Sequence, residues 1–290
     1  MTGEDISTKP STWTGLSSNR QNELAATKGA ILFHKQLRRI VAPGAFLARA
    51  QVRDVVVSLG DLSKVDFRSA TLADVMAQES RFDFCKFSDS VSPRESGFKI
   101  EDLKSTYPAS IEKCVFSGAR FILADLCNVQ ARFSDFEAAI FAFANCTGIV
   151  FDACNLSGSN FLRSSLNFAR LSSIHPTGPL GKPIQFQEAD CSGAEFTDCD
   201  LRGAAFTRAM LDHAKFHKEV DLTGADFTKA SLVEADLSGA KGLKEDQLRK
   251  ARTLVGVKLN EDLIRALAKQ IASAPALGAG PSSSESKTGD

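Results

Sequence analysis

A large apolar side chain, Leu or Phe, recurs at every fifth position over most of this chain. The period runs from Leu47 to Phe87, resumes from Phe116 to Leu171 and again from Phe186 to Phe216, then slips by one residue and continues through Leu222, Phe227, Leu232 and Leu237. Of these 32 positions 26 are Leu or Phe, and the site two residues earlier is small: Ala in 16 cases, Cys in four and Ser in four. A helix of period 3.6 would scatter such residues around its circumference, and a flat strand of period two would send alternate fives to opposite faces. What remains is a backbone that bends once per five residues. Each segment then turns one large and one small side chain inward and leaves three sites, mostly polar, in water, as in Ala-Asp-Phe-Thr-Lys (225–229). Composition agrees, because 21 Phe beside one Tyr and one Trp provide aromatic bulk without hydroxyls to satisfy.

Ala-Asp-Leu-Cys-Asn (124–128), Cys-Asn-Leu-Ser-Gly (154–158), Cys-Asp-Leu-Arg-Gly (199–203) and Ala-Asp-Leu-Ser-Gly (235–239) carry a resemblance to the pentapeptide-repeat family, which extends over residues 45–240. The resemblance implies an all-β solenoid, a right-handed quadrilateral β-helix with four pentapeptides per coil. On that geometry the repeats make about eight coils and a rod of about 38 Å at the ~4.8 Å strand spacing.

The ends of such a rod need lids, since an open coil exposes unpaired backbone and apolar interior. Residues 19–44 are expected as an N-terminal capping helix, with Phe33, Leu37, Ile40 and Val41 on one side. Residues 241–273 are expected as a C-terminal helical cap: one helix through Leu243, Leu248 and Leu254, a second through Leu263, Ile264, Leu267 and Ile271. This pair of helices also offers a surface through which two copies would dimerise. Residues 1–18 and 274–290 read as disordered tails, and residues 88–110 and 172–183, rich in Pro and Gly, as loops leaving the solenoid. The extra residue between Phe216 and Leu222 reads as a bulge.

Chemistry-bearing residues are absorbed by the repeat. Cys85, Cys114, Cys154 and Cys199 occupy small inward sites and Cys146 and Cys191 large ones, acting as buried hydrophobes, whereas Cys127 falls at an outward site. The seven cysteines contain no CxxC pair and suit a reducing, cytoplasmic compartment. His213 and His217 have a helical metal-ligand spacing, but the period puts them on a rung where they share no face. Gly178-Pro-Leu-Gly-Lys-Pro lacks the spacing and the Ser/Thr of a phosphate loop. Asp125, Asp190, Asp200, Asp221, Asp226 and Asp236, each preceding a large inward residue, align in rows. No catalytic, cofactor-binding or metal-ligating residue is assigned, and no cofactor is expected.

Charge excludes a global field, since 35 Lys and Arg balance 35 Asp and Glu. There is no apolar stretch long enough for a membrane span and no secretory leader. The expected function is that of a non-catalytic bacterial scaffold that binds another protein. Two alternatives come from the resemblance: a DNA mimic that binds gyrase and confers quinolone resistance, and a secreted effector. Residues 45–240 carry 20 basic and 26 acidic side chains. That net of minus six falls far short of the roughly twenty charges of a duplex of the same length.

Overall fold

A computed structural model of the 290-residue chain describes residues 31–38, 44, 47, 51–58, 60–65, 67, 70–73, 75–77, 79–85, 87, 109–175 and 181–265. Its strands are β1 (Ile31–Arg38), β2 (Gln51–Ser58), β3 (Thr71–Ala73), β4 (Ser110–Glu112), β5 (Gln130–Arg132), β6 (Val150–Asp152), β7 (Arg170–Ile174), β8 (Glu195–Cys199), β9 (Lys215–His217), β10 (Val220–Asp221) and β11 (Ala240–Lys241). β1 to β9 form one sheet in chain order, every neighbouring pair parallel. The pairing advances 20 residues per strand where the period is unbroken, as in Ser110↔Gln130 and Gln130↔Val150. Twenty residues per coil and five per side give four faces. The chain is an all-β solenoid.

Ladder bridges mark the other faces. Val115↔Asp135↔Asn155 belongs to the second face, Arg120↔Ile140↔Asn160 to the third and Asp125↔Asn145↔Ser165 to the fourth. The side chains following these positions, such as Phe116, Phe121 and Leu126, are all buried. Stacking these fives produces aromatic columns. On the third face Phe82, Phe121, Phe141, Phe161, Phe186, Phe206 and Phe227 lie ring on ring, with centroids 4.7–5.3 Å apart and planes within 14°. Rings on opposite faces meet edge-on across the interior, as Phe186 does Phe196. Both arrangements suit the quadrupole of the aromatic ring.

Corners follow from local hydrogen bonds. The carbonyl of the large residue accepts the N–H three residues on, as Phe116 does from Ala119 at 2.9 Å and Phe121 from Ala124 at 3.1 Å. The second residue after the large one has positive φ, 66° at Gly118 and 57° at Leu123, the signature of a type II turn. Asp or Asn before the large residue accepts the turn's remaining N–H through Oδ1: Asn145 from Thr147 at 3.2 Å, Asp200 from Arg202 at 3.1 Å, Asp226 from Thr228 at 3.0 Å. This Asx contact explains why the repeat favours Asp and Asn there. Small inward residues fill the corner itself. Cys85 and Cys199 donate their thiols to the carbonyls of Leu62 and Leu171, and Ser134 accepts the Cys114 N–H at 3.1 Å.

Departures from expectation concern the ends and the loops. Residues 31–38 are a strand rather than part of a capping helix, paired with β2 from Ile31↔Gln51 to Arg38↔Ser58. Helical spacing of the apolar residues is a local signal, and the ladder offered by β2 outweighs it by pairing backbone groups a helix would leave open. Residues 19–30 and 39–43 of that expected helix lie outside the described residues. At the other end α1 spans only Glu245–Arg249. Its Gln247 side chain donates to the carbonyls of Leu222 and Ala225 at 2.9 and 2.8 Å, standing in for the next rung. Leu254 lies not on a helix but where the chain has rejoined the ladder, at Ser231↔Thr253 and Asp236↔Lys258. A helical turn follows at 261–265, and residues 266–290 lie outside the described residues, as do the 1–18 tail and residues 176–180 of the Pro/Gly segment.

The ladder therefore reaches from residue 31 to residue 258, further at each end than 45–240. Thr71 pairs with Ser110, and Arg170 with Glu195, so 19 and five residues respectively are inserted beyond the 20 of a coil. The first insertion falls between Phe87 and Ser110, where the 88–110 loop is expected; residues 88–108 lie outside the described residues, and Ser110 already belongs to β4. The second is shorter than expected, because β7 carries the ladder on to Ile174↔Cys199. Lys218 and Glu219, both at positive φ, form the bulge that absorbs the extra residue before Leu222.

Candidate functional site

The inward sites are filled, so any function resides on the outward ones. His213, at a corner, lies 3.3 Å from Glu234, and His217 is the last residue of β9 on the first face, so the two do not converge on one centre. His175 lies 3.4 Å from Asp198. Among the described residues no group of His, Cys, Asp and Glu has the arrangement to hold a metal ion, and no helix is long and apolar enough to cross a membrane.

All seven cysteines are buried, including Cys127, whose outward site was expected to expose it. Loss of hydration pushes the Cys85 and Cys199 thiols up to about 12 and Cys154 to about 11, which suppresses the nucleophilic thiolate. The six aspartates are spread over the four faces, with Asp200 and Asp221 neighbours in one row, and their oxygens are engaged locally. Asp190 accepts from the Ser192 N–H and hydroxyl, Asp221 from those of Thr223 and Asp236 from those of Ser238. The first face carries an alternating ladder in which Glu195 pairs with Lys215 at 3.0 Å and Arg170 at 4.0 Å.

The third face breaks the polar rule. Phe84, Leu123 and Phe143 occupy the same corner of three successive coils and are 51%, 49% and 45% exposed. Beside them lie Ile122, Ile140 and Leu162, each half-buried. Six apolar side chains thus form an outward patch. The corner is also locally unfavourable. Phe84, Leu123 and Phe143 all have φ of 57–60°, where bulky L-residues are rarely found. The second and fourth corners often use glycine for this conformation, as at Gly118, Gly158 and Gly203 or Gly148 and Gly193. From Lys64 to Lys229 the third corner uses none.

Sequence reasoning passed over this patch by treating all three non-core sites as polar. The signal was present: Phe-Ile-Leu (121–123), Phe-Ala-Phe (141–143) and Phe-Leu-Arg (161–163) put apolar residues just after the core position. Further along the same corner Arg163 spreads over the Phe143 ring, 5.9 Å from its centroid, and its Nε donates to Glu188 at 2.6 Å. Arg208 reaches Glu188 from the other side at 3.3 Å, and the Arg163 contact above all holds that carboxyl below its usual range.

A family model described as pentapeptide repeats matches eight copies, over residues 144–174, 184–218 and 218–241. No curated protein matches the chain. Among solved structures it is similar to HetL, a pentapeptide repeat protein involved in heterocyst differentiation regulation from the cyanobacterium Nostoc sp. strain PCC 7120. The identity is 19%, the TM-score 0.42, and the match covers 83% of this chain and 91% of that one. It is similar also to trypsin-treated QnrB1, a plasmid-mediated fluoroquinolone resistance protein, at 15% identity and TM-score 0.38, covering 82% and 98%. The matched repeats lie within one ladder whose register is continuous from residue 31 to residue 258. With the five-residue period filling its four-sided interior, the chain belongs to the pentapeptide-repeat family.

Proposed function

We propose that the protein is a non-catalytic scaffold of a reducing, cytoplasmic compartment, holding a protein partner against the third face of a rigid rod. The exposed apolar patch centred on Phe143 carries this reading. A solvated sheet face gains nothing from six clustered apolar side chains, and contiguous patches of this kind mark interaction sites. The ladder beneath supports it, because a column of interlocked rings holds the outward residues at fixed spacing and spares a partner the cost of ordering them. Aspartates tied into turns, and acids alternating with bases, favour a protein partner over mimicry of a nucleic-acid backbone.

Affinity capture from the native host tests the reading, using wild type, Phe143→Glu, Phe133→Glu and the chain lacking residues 88–108 or 176–180. Phe133 is 58% exposed at the diagonally opposite corner and serves as the control. A specific partner should be retained by wild type and Phe133→Glu and lost by Phe143→Glu. Recovery of the same proteins by all variants would refute the assignment to this face.

A further inference from the structure

The third corner changes character along the rod, and on the scaffold reading this change specifies the partner's chemistry. Exposed Lys64 opens the row, and Phe84, Leu123 and Phe143 follow on the next three coils. The same row continues with exposed Arg163, Arg208, Lys229 and Lys250, interrupted only by Glu188. The register to Lys250 is fixed by the hydrogen bond from the Lys229 N–H to its carbonyl. On a chain of zero formal net charge this segment carries an excess of three positive charges. Arg163, packed on Phe143, joins the apolar half to the basic half.

Spacing selects the partner's secondary structure. The ring column under the corner rises 4.7–5.3 Å per coil. An α-helix presents one face every ~5.4 Å, so three coils accumulate a mismatch of about 1–2 Å, within the reach of side-chain rotamers. A strand presents one face every ~6.8 Å and would be out of step by a whole coil over the same length. We propose that this corner binds an amphipathic helix of a partner protein lying along the rod. Its leading half presents apolar residues at i, i+4 and i+7, and its trailing half presents Asp and Glu on the same face. Seven spacings from Phe84 to Lys250 correspond to about 34 Å, a helix of about 22 residues, over which the helix drifts by about 4 Å, a distance the long Arg and Lys side chains of the trailing half can span. Charge decides against a second copy as occupant, since an antiparallel copy laid along the corner sets its basic half on the apolar half.

A display library of random 22-residue peptides selected on the immobilised full-length protein tests the proposal. Each enriched peptide is then measured against Phe143→Glu, Arg208→Glu and Phe133→Glu. Glu79, Glu188 and Glu234 already occupy corner positions at positive φ, so glutamate at 143 is compatible with the backbone, and circular dichroism checks the fold. Enriched peptides should carry apolar residues at helical spacing followed by acids, and become helical when bound. Their binding should weaken about tenfold or more on Phe143→Glu, several-fold and with loss of salt sensitivity on Arg208→Glu, and not at all on Phe133→Glu. A selection yielding no peptide that depends on Phe143, peptides that bind as strands, or light scattering that shows wild type self-associating through Phe143 would each overturn the proposal. Partner capture that still depends on Phe143 would then leave the scaffold reading standing, whereas capture that does not would remove both.

Discussion

Asp226 shows how one side chain serves the corner. Its Oδ1 accepts the Thr228 N–H at 3.0 Å and the Thr228 hydroxyl at 2.5 Å, while Oδ2 accepts from Thr207 one coil back at 2.8 Å. The Thr228 hydroxyl is the main cause that holds this carboxyl below the usual range, against an opposing contribution from burial. A carboxylate with a depressed folded-state pKa stabilises the fold above its unfolded value, near ~3.9, and that stabilisation is lost as pH falls through the folded value. Asp236, held low chiefly by Ser238, behaves in the same way. Urea denaturation should find Asp226→Ala less stable by about 1 kcal/mol at pH 7, with the difference shrinking below about pH 4. Asp226→Asn should retain most of the stability at pH 7, because Asn145, Asn155 and Asn160 make the same contact to the turn N–H elsewhere. Equal stability of wild type and Asp226→Ala across that pH range would mean that the Asx contact contributes nothing.

At the scale of the element, the coil is specified by its inward pair and held by its neighbours. Phe141 is buried between Phe121 and Phe161, at 5.0 and 4.7 Å. Truncating it removes two stacking partners and leaves a cavity that the rungs above and below are too tightly bonded to collapse. Phe141→Ala should lower stability by about 3–5 kcal/mol, read by thermal or chemical denaturation. A change under about 1 kcal/mol would be incompatible with the column. The ends obey the same logic by other means: α1 replaces a rung with the two hydrogen bonds of Gln247, and Leu248 is fully buried.

For the whole molecule, the interior was legible and the boundary was not. Every inward Leu or Phe from Phe116 to Leu171 is dictated by a rule that repeats each five residues, so one error cannot propagate. β1 was missed because its partner, β2, lies 20 residues away, while the helical spacing of Phe33, Leu37 and Ile40 is visible within one window. The patch at Phe84, Leu123 and Phe143 was missed for a different reason. Its members are 39 and 20 residues apart and become neighbours only when coils are laid in register across an insertion. Register is therefore the property on which both fold and surface depend. Spin labels at Ser110→Cys and Lys215→Cys test it most directly, and buried native thiols leave those two sites to react first. The two positions occupy one column of the first face, linked through Gln130, Val150, Arg170 and Glu195. Pulsed dipolar spectroscopy should give a narrow distribution centred near ~24 Å, five strand spacings. A broad distribution, or a centre beyond about 35 Å, would show that the coils do not stack in this register.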